Sequence, residues 1–316
     1  MKVRRRELAK RVGGRGAKIA TAAVAAVTAG SIGLQVQSAL TGSVAGASTP
    51  TVKAHATAVA GCAGPNGAGY WQVSAQGGVF TNGAAGFYGS AGGTKLNKPI
   101  VGMAPSVDGR GYWLVASDGG VFSYGDAPFE GSTGAIHLNK PIVGIVPTMD
   151  GQGYWMVGSD GGVFAFGDAS FYGSLGAITL NKPIVGMATT RDGRGYWLVA
   201  ADGGVFAFGD APFYGSLGGT TLNEPIVAIA PARNGNGYVL AASDGGVFTF
   251  GASTFYGSAG ALSLNKPVVA VAGTFLGNGY TLGASDGGVF TYGDSTFCGA
   301  AGTASLSSPI VGLAFF

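Results

Sequence analysis

Charged side chains are scarce in this chain: Asp, Glu, Lys and Arg make up 10% of its 316 residues, while 47% are hydrophobic. Intrinsic disorder requires the opposite balance, with low hydrophobicity and high charge. The 61 glycines also count against a helical bundle, because glycine weakens the interior of a helix. Many short strands joined by glycine-containing turns are the class of fold that remains.

Basic residues are sparse outside the N-terminus. Eight of the 18 Lys and Arg residues lie within residues 1–18, whereas residues 48–316 carry 10 basic and 14 acidic side chains. A protein that binds nucleic acid needs a basic surface on its folded part. We therefore predict no nucleic-acid partner.

Histidine and cysteine are the rarest reactive residues, with two of each. A Ser-His-Asp triad would have to use His137, with Glu130 as the nearest irregular acid. The aspartates recur at turn positions and lack the dense ligand spacing of a calcium loop. We predict no catalytic residue, no metal site and no cofactor, so the protein is expected not to be an enzyme.

The N-terminus has the pattern of an export signal. A basic segment precedes an alanine-rich apolar stretch, and no charge occurs between Lys18 and Lys53. Arg5-Arg6 and the residues that follow resemble a twin-arginine signal. The uncharged run is also long enough to span a bilayer, so an uncleaved membrane anchor stays open.

Small residues provide cleavage sites near residue 47 or residue 56. We predict that residues 1–47 are the export signal, that 48–56 are a linker and that 57–316 form the folded domain. The expected location is secreted or at the cell surface.

A repeat of 42 residues runs through the rest of the chain. Gly-Tyr begins at residues 69, 111, 153, 195, 237 and 279, and Gly-Gly-Val-Phe begins at 77, 119, 161, 203, 245 and 287. Six copies of this length are typical of four-stranded propeller blades. The sequence therefore predicts an all-β, six-bladed β-propeller.

Each copy contains four candidate strands. PIVGMAPS, GYWLVAS and GGVFSYG are the first three, and a shorter fourth centres on PFEGS or SFYGS. Asp118-Gly119 is a tight-turn dipeptide between the second and third strands. The tryptophans at the middle of the second strand are expected to pack between blades and not to stack on sugars.

The string GYWLVASDGGVFAFGDAPFYGS resembles the repeats of a group of exported actinobacterial proteins. The resemblance covers residues 58–316. It implies a β-propeller that is exported, and some members of the group accompany cell-wall-cleaving domains. It implies no particular activity for residues 58–316.

Two segments compete for one place in the ring. Thr57–Ala63 and Pro309–Phe316 both match the first strand, which leaves one copy in surplus. Cys62 and Cys298 break the repeat near these two ends, and we predict that they form a closing disulfide. Val59-Ala60-Gly61-Cys62 also fits a lipobox, so lipidation of Cys62 is an alternative.

The Leu-Asn-Lys-Pro connections are expected to share one face of the ring with the Asp-Gly turns. The candidate ligand-binding residues are Asn97, Lys98, Asn139, Lys140, Asn181, Lys182, Asn265 and Lys266. A ring of short polar groups suits weak, multivalent contact with a cell-wall polymer or an extracellular protein. The alternative interpretation is that Asn and Pro set the turn and Lys keeps the face soluble.

The predicted function is a binding or scaffolding module outside the cell. One alternative is a hydrolase or lyase acting on cell-wall polysaccharide, which would need carboxylates converging on the central channel. Another is a self-associating component of a surface layer.

Overall fold

The structure, a computed structural model, describes residues 69–303 and 305–316. Strands in these residues form six separate antiparallel sheets of three strands each. The predicted export signal, the linker and Thr57–Ala63 lie outside the described residues. A short 3₁₀ helix, Ala301–Thr303, precedes the last strand.

The middle strand of every sheet is the GYWLVA segment. These strands are β1 (Gly69–Ser74), β4 (Gly111–Ala116), β7 (Gly153–Gly158), β10 (Gly195–Ala200), β13 (Gly237–Ala242) and β16 (Gly279–Ala284). All six positions of each middle strand are buried. Such strands are apolar on both faces because each blade is covered by a neighbour on either side.

The outer strand of each sheet follows the Asp-Gly turn. The outer strands are β2 (Val79–Gly83), β5 (Val121–Gly125), β8 (Val163–Gly167), β11 (Val205–Gly209), β14 (Val247–Gly251) and β17 (Val289–Gly293). In the predicted turn, Gly119 has a φ of 79° and the Asp118 carboxylate accepts a hydrogen bond from the Gly120 N–H. The tight-turn prediction is confirmed.

The inner strands come from the PIVGMA segments. They are β3 (Ile100–Pro105), β6 (Ile142–Pro147), β9 (Ile184–Thr189), β12 (Ile226–Pro231), β15 (Val268–Gly273) and β18 (Ile310–Phe315). Each inner strand contacts the inner strands of the two adjacent sheets, and β18 contacts both β15 and β3. This closed ring of six inner strands confirms the six-bladed propeller.

The C-terminal strand closes the ring. β18 pairs with β1, with Ala314 opposite Trp71 and Leu313 opposite Gln72. The first sheet therefore combines its middle and outer strands from one end of the domain with an inner strand from the other end. Of the two competing segments, Pro309–Phe316 occupies the inner position.

The prediction of a fourth strand in each blade is wrong for the described residues. The segment after β5 has its polar groups engaged elsewhere: the Pro128 carbonyl accepts a hydrogen bond from Trp113 Nε1 at 2.6 Å. The Gly131 carbonyl accepts from the Tyr154 hydroxyl of the next blade, which in turn accepts from the Glu130 N–H. Because side chains take up these groups, the segment does not add a ladder to the outer strand.

The hydrophobic core lies between blades. One cluster combines Trp113 and Val115 of one blade with Ile142, Tyr154 and Met156 of the next. The rings of Trp113 and Tyr154 are 5.8 Å apart between centroids. The tryptophans are at most 1% exposed, which confirms the prediction that they pack between blades.

Candidate functional site

The loops of the propeller lie on two opposite faces. On the first, the Pro99 carbonyl accepts a hydrogen bond from the Ser117 N–H at 2.9 Å, which brings a Leu-Asn-Lys-Pro connection beside an Asp-Gly turn. On the second, the Arg110 carbonyl accepts from the Asp126 N–H, which joins the loop after β3 to the turn after β5. The predicted assignment of loops to faces is confirmed. We call these the Asn–Lys face and the loop face.

All the predicted binding residues are exposed on the Asn–Lys face. These residues are Asn97, Lys98, Asn139, Lys140, Asn181, Lys182, Asn265 and Lys266. Pro99 and its counterparts fix the chain where it enters the inner strand, and this places the preceding Asn and Lys outside the core. Around the ring, the lysine position reads Lys, Lys, Lys, Glu, Lys and Ser.

The ring is interrupted in two places. Glu224 replaces lysine in one connection and accepts a hydrogen bond from the Ser243 hydroxyl at 3.3 Å. Ser308 takes the lysine position before β18 and accepts from the Gln76 N–H. Residues 69–303 and 305–316 contain one salt bridge, which joins Arg110 to Asp108 on the loop face. Among these described residues, the lysines of the Asn–Lys face therefore form no salt bridge.

A groove on the Asn–Lys face contains Asn97 and Lys98. It has a volume of about 400 Å³ and is also lined by Gln76, Thr94 and Leu96. Gln76 occupies the position where the other hairpin turns have aspartate, so no turn carboxylate stands beside Lys98 here. This place combines a lysine, two amides and a hydroxyl with an apolar floor.

The loop face carries pairs of aspartates. The Thr190 hydroxyl lies 2.8 Å from Asp192 Oδ1 and 3.4 Å from Asp210 Oδ1. Hydrogen bonds from the Thr190 hydroxyl and the Arg194 N–H lower the pKa of Asp192, whereas burial and the nearby Asp192 raise the pKa of Asp210. Asp150 and Asp168 form a similar pair, and the pKa of Asp150 is lowered by hydrogen bonds from the Gln152 N–H and the Thr148 hydroxyl and by its interaction with Asp168.

In the described part of the chain, the aspartate pairs are not part of a larger cluster of acidic, histidine or cysteine side chains. Among the described residues, no group of three or more His, Cys, Asp or Glu side chains could hold an ion. The pairs form part of the loop structure, because Asp150 and Asp192 also accept hydrogen bonds from the N–H groups two residues later. Their effect is to order the loops.

The acid and base singled out in the sequence lie apart in the fold. His137 is exposed in the connection on the Asn–Lys face. Glu130 packs beside Gly167, which ends β8 at the loop face. The six inner strands β3, β6, β9, β12, β15 and β18 contain no Asp or Glu. They therefore do not supply the channel carboxylates that a polysaccharide hydrolase would need.

A serine pattern that the sequence reasoning passed over also lacks a catalytic setting. Gly283-Ala284-Ser285-Asp286-Gly287 has the spacing G-x-S-x-G. The structure places it at the end of β16 and in the hairpin turn to β17. A nucleophile elbow requires a strand followed by a helix, so this segment has the wrong context.

Sequence reasoning also missed a set of exposed aromatics. Each blade presents one phenylalanine in the segment after its outer strand, with exposed fractions of 41% to 62%: Phe87, Phe129, Phe171, Phe213, Phe255 and Phe297. The signal was present in the FYG motif but was assigned to a fourth strand. Without that strand, the ring of each phenylalanine faces solvent.

Cys298 is buried, at 2% exposed, in a cluster with Tyr70, Ala270 and Leu313. This cluster joins the last blade to the first. The predicted partner Cys62 lies outside the described residues. The Cys62–Cys298 disulfide and the lipidation of Cys62 therefore stay predictions.

Comparisons with known proteins found similarity to solved structures but not to a known family. No family model and no curated protein sequence matches the chain. Among solved structures, it is similar to the β-propeller domain of Cps50 (Swd1) from Myceliophteria thermophila. The two share 10% identity at a TM-score of 0.49, over 74% of this chain and 81% of that one. The described residues contain no helix of the length and apolarity needed to cross a membrane.

Proposed function

We propose that this propeller is an exported binding module whose Asn–Lys face holds a repetitive cell-wall glycan. The observation that carries the proposal is the ring of exposed Asn and Lys side chains, which repeats from blade to blade on one face. A propeller fits a binding or scaffolding role because its loops surround a rigid ring. Export and cell-surface location are part of the proposal and follow from the pattern of residues 1–47.

Multivalency is the physical reason for the ring. A single exposed amide or ammonium binds a sugar or an anionic group weakly, because water competes for the same hydrogen bonds. Several identical groups on one rigid face contact successive units of one polymer, and the overall affinity then exceeds that of any single contact. The groove at Asn97 and Lys98 is one of these contacts.

The test is co-sedimentation of the protein with purified cell wall. The variant Lys98→Ser, Lys140→Ser, Lys182→Ser and Lys266→Ser removes four cations from the Asn–Lys face. We expect its affinity to fall at least about tenfold, since four contacts of a few tenths of a kcal/mol each are lost together. Unchanged pelleting would refute the role of the lysine ring.

A matched control removes the same charge from the opposite face. Arg110→Ser, Arg191→Ser, Arg194→Ser and Arg233→Ser changes the net charge equally but leaves the Asn–Lys face intact. We expect this variant to pellet like the wild type. An assay of the supernatant for released sugar or peptide separates binding from hydrolysis, and released product would support the hydrolase or lyase alternative.

A further inference from the structure

Two positions depart from the repeat together in the last two full copies. Tryptophan in the middle strand gives way to Val239 and then to Thr281; the copies that keep it have Trp71, Trp113, Trp155 and Trp197. Alanine after the outer strand gives way to Ser253 and Ser295; the copies that keep it have Ala85, Ala127, Ala169 and Ala211. The blades that lack the indole are thus the ones that gain a serine.

The two replacements are not equivalent. The hydroxyls of Thr281 and Ser295 lie 2.5 Å apart and share a hydrogen bond. Val239 takes the place of Thr281 in the preceding blade and has no hydroxyl to offer, and the Ser253 Oγ is buried beside Gly237 with no hydrogen-bond partner among the described residues. This blade therefore has neither the indole of the first four blades nor the hydroxyl pair of the sixth.

A cavity of about 900 Å³ on the loop face extends over parts of four blades and includes the place where the indole is missing. Val239, Ser253, Tyr256 and Tyr280 are among the residues that line it. It continues to the mouth of the central channel, where Pro231 at the end of β12 forms part of its wall. In the second blade, the indole of Trp113 fills the corresponding space and donates a hydrogen bond to the segment after the outer strand.

Arginines stand beside this cavity. Arg191 and Arg233 both line it. The acids nearby are engaged behind its wall, where Asp192 and Asp294 accept hydrogen bonds from the hydroxyls of the lining residues Thr190 and Thr274. In the second blade, Val107 and Trp113 both lie against Gly151 of the following loop. Arg233 takes the position of that valine and lies against Gly277, so it stands next to the space left by Val239. Its guanidinium is 3.9 Å from the centre of the Phe275 ring.

We propose that this cavity binds a small organic acid. The flat apolar part of the ligand occupies the space that an indole fills in four other blades, and its carboxylate interacts with Arg233 and Arg191. The site lies on the loop face and is independent of the Asn–Lys face.

The test uses indole-3-acetate and its neutral counterpart indole-3-ethanol, each titrated calorimetrically into the full chain. We expect saturable binding of the acid, about tenfold tighter than that of the alcohol, because a charge-assisted hydrogen bond to arginine contributes about 1.4 kcal/mol or more. Arg233→Ser together with Arg191→Ser changes two exposed side chains, and we expect the double variant to lose this preference. Equal affinity of the wild type for both probes, or no saturable heat, would overturn the proposal.

Two further variants separate the site from nonspecific binding. Val239→Trp with Ser253→Ala restores the residues of the other blades, and we expect it to abolish binding of both probes while the protein keeps its fold. Trp113→Val opens the corresponding space in the second blade, where the neighbouring residue is Val107 and not an arginine. We expect no preference for the acid there. Binding that survives Val239→Trp with Ser253→Ala would place the ligand elsewhere and refute the assignment.

Discussion

At the scale of single residues, one tyrosine in each repeat connects neighbouring blades. The Tyr112 hydroxyl donates to the Gly89 carbonyl and accepts from the Tyr88 N–H of the preceding repeat. Tyr70 makes the corresponding contacts with Gly299 and Cys298, so the same device joins the last blade to the first. These hydroxyls are bound to backbone groups that a fourth strand would otherwise have used.

Burial of these tyrosines makes stability depend on pH in the alkaline range. Burial raises the pKa of four of them from 10.0 to about 12: Tyr70, Tyr112, Tyr238 and Tyr280. Above pH 10 the unfolded chain loses these protons first, so the free energy of unfolding falls as the pH rises from 10 to 12. Below pH 10 the tyrosines are protonated in both states and cause no slope.

The variant Tyr112→Phe checks this origin of the pH dependence. With one titrating group fewer, we expect a shallower fall in the free energy of unfolding between pH 10 and pH 12 than in the wild type. Urea unfolding at a series of pH values measures both slopes. Identical slopes would show that Tyr112 does not contribute.

At the scale of elements, the segment after each outer strand takes the place of a fourth strand. Gly131 has a φ of 137°, and the phenyl ring of Phe166 from the next blade lies where a Cβ of residue 131 would be. A side chain at this position would strain the backbone and displace the ring. The segment thus depends on glycine to lie between two blades.

Gly131→Ala tests this dependence. An added Cβ would lie 2.5 Å from Phe166 Cδ1, and we expect the free energy of unfolding to fall by about 1–3 kcal/mol. Denaturant unfolding provides the measurement. Gly93→Ala is the matched control, because no atom lies within 4 Å of its added Cβ and its φ is ordinary, so its stability should stay near that of the wild type.

At the scale of the whole molecule, the ring is a closed structure in which every blade has two neighbours. β18 is the strand on which closure depends, since it pairs with β1 and contacts β3 and β15. Ile310, Leu313 and Ala314 of this strand are buried. The two faces of the ring are then free to carry different surfaces, with Asn and Lys on one and arginines beside the cavity on the other.

Ending the chain at Ser308 tests the closure. Loss of β18 exposes its buried partners on β1, β3 and β15, and we expect a loss on the order of 5 kcal/mol, at about 1.5–3 kcal/mol for each large apolar side chain no longer buried. A lower urea midpoint and a larger hydrodynamic radius would show an opened ring. An unchanged midpoint would mean that another segment, such as Thr57–Ala63, takes the inner position.

The sequence alone was enough to predict the period of 42 residues, the three strands that each blade has, the Asp-Gly turns and the exposure of the Asn–Lys ring. These features are local: proline at a strand entry, glycine at a positive φ and apolar runs act within a few residues of one another. The fourth strand was wrongly predicted because its hydrogen-bonding groups are taken by Trp113 and Tyr154, which are 15 and 23 or more residues away along the chain.

Closure and the cavity were decided by tertiary structure. Thr57–Ala63 and Pro309–Phe316 have similar patterns, and a choice between them depends on contacts with β1, β3 and β15 that no local pattern contains. The replacement of tryptophan by Val239 is visible in the sequence, but neighbouring side chains could have filled the space. The space beside Arg233 stays open because the sheets on either side are rigid. Each sheet is held by its own backbone hydrogen bonds and core contacts, so neither collapses into the space.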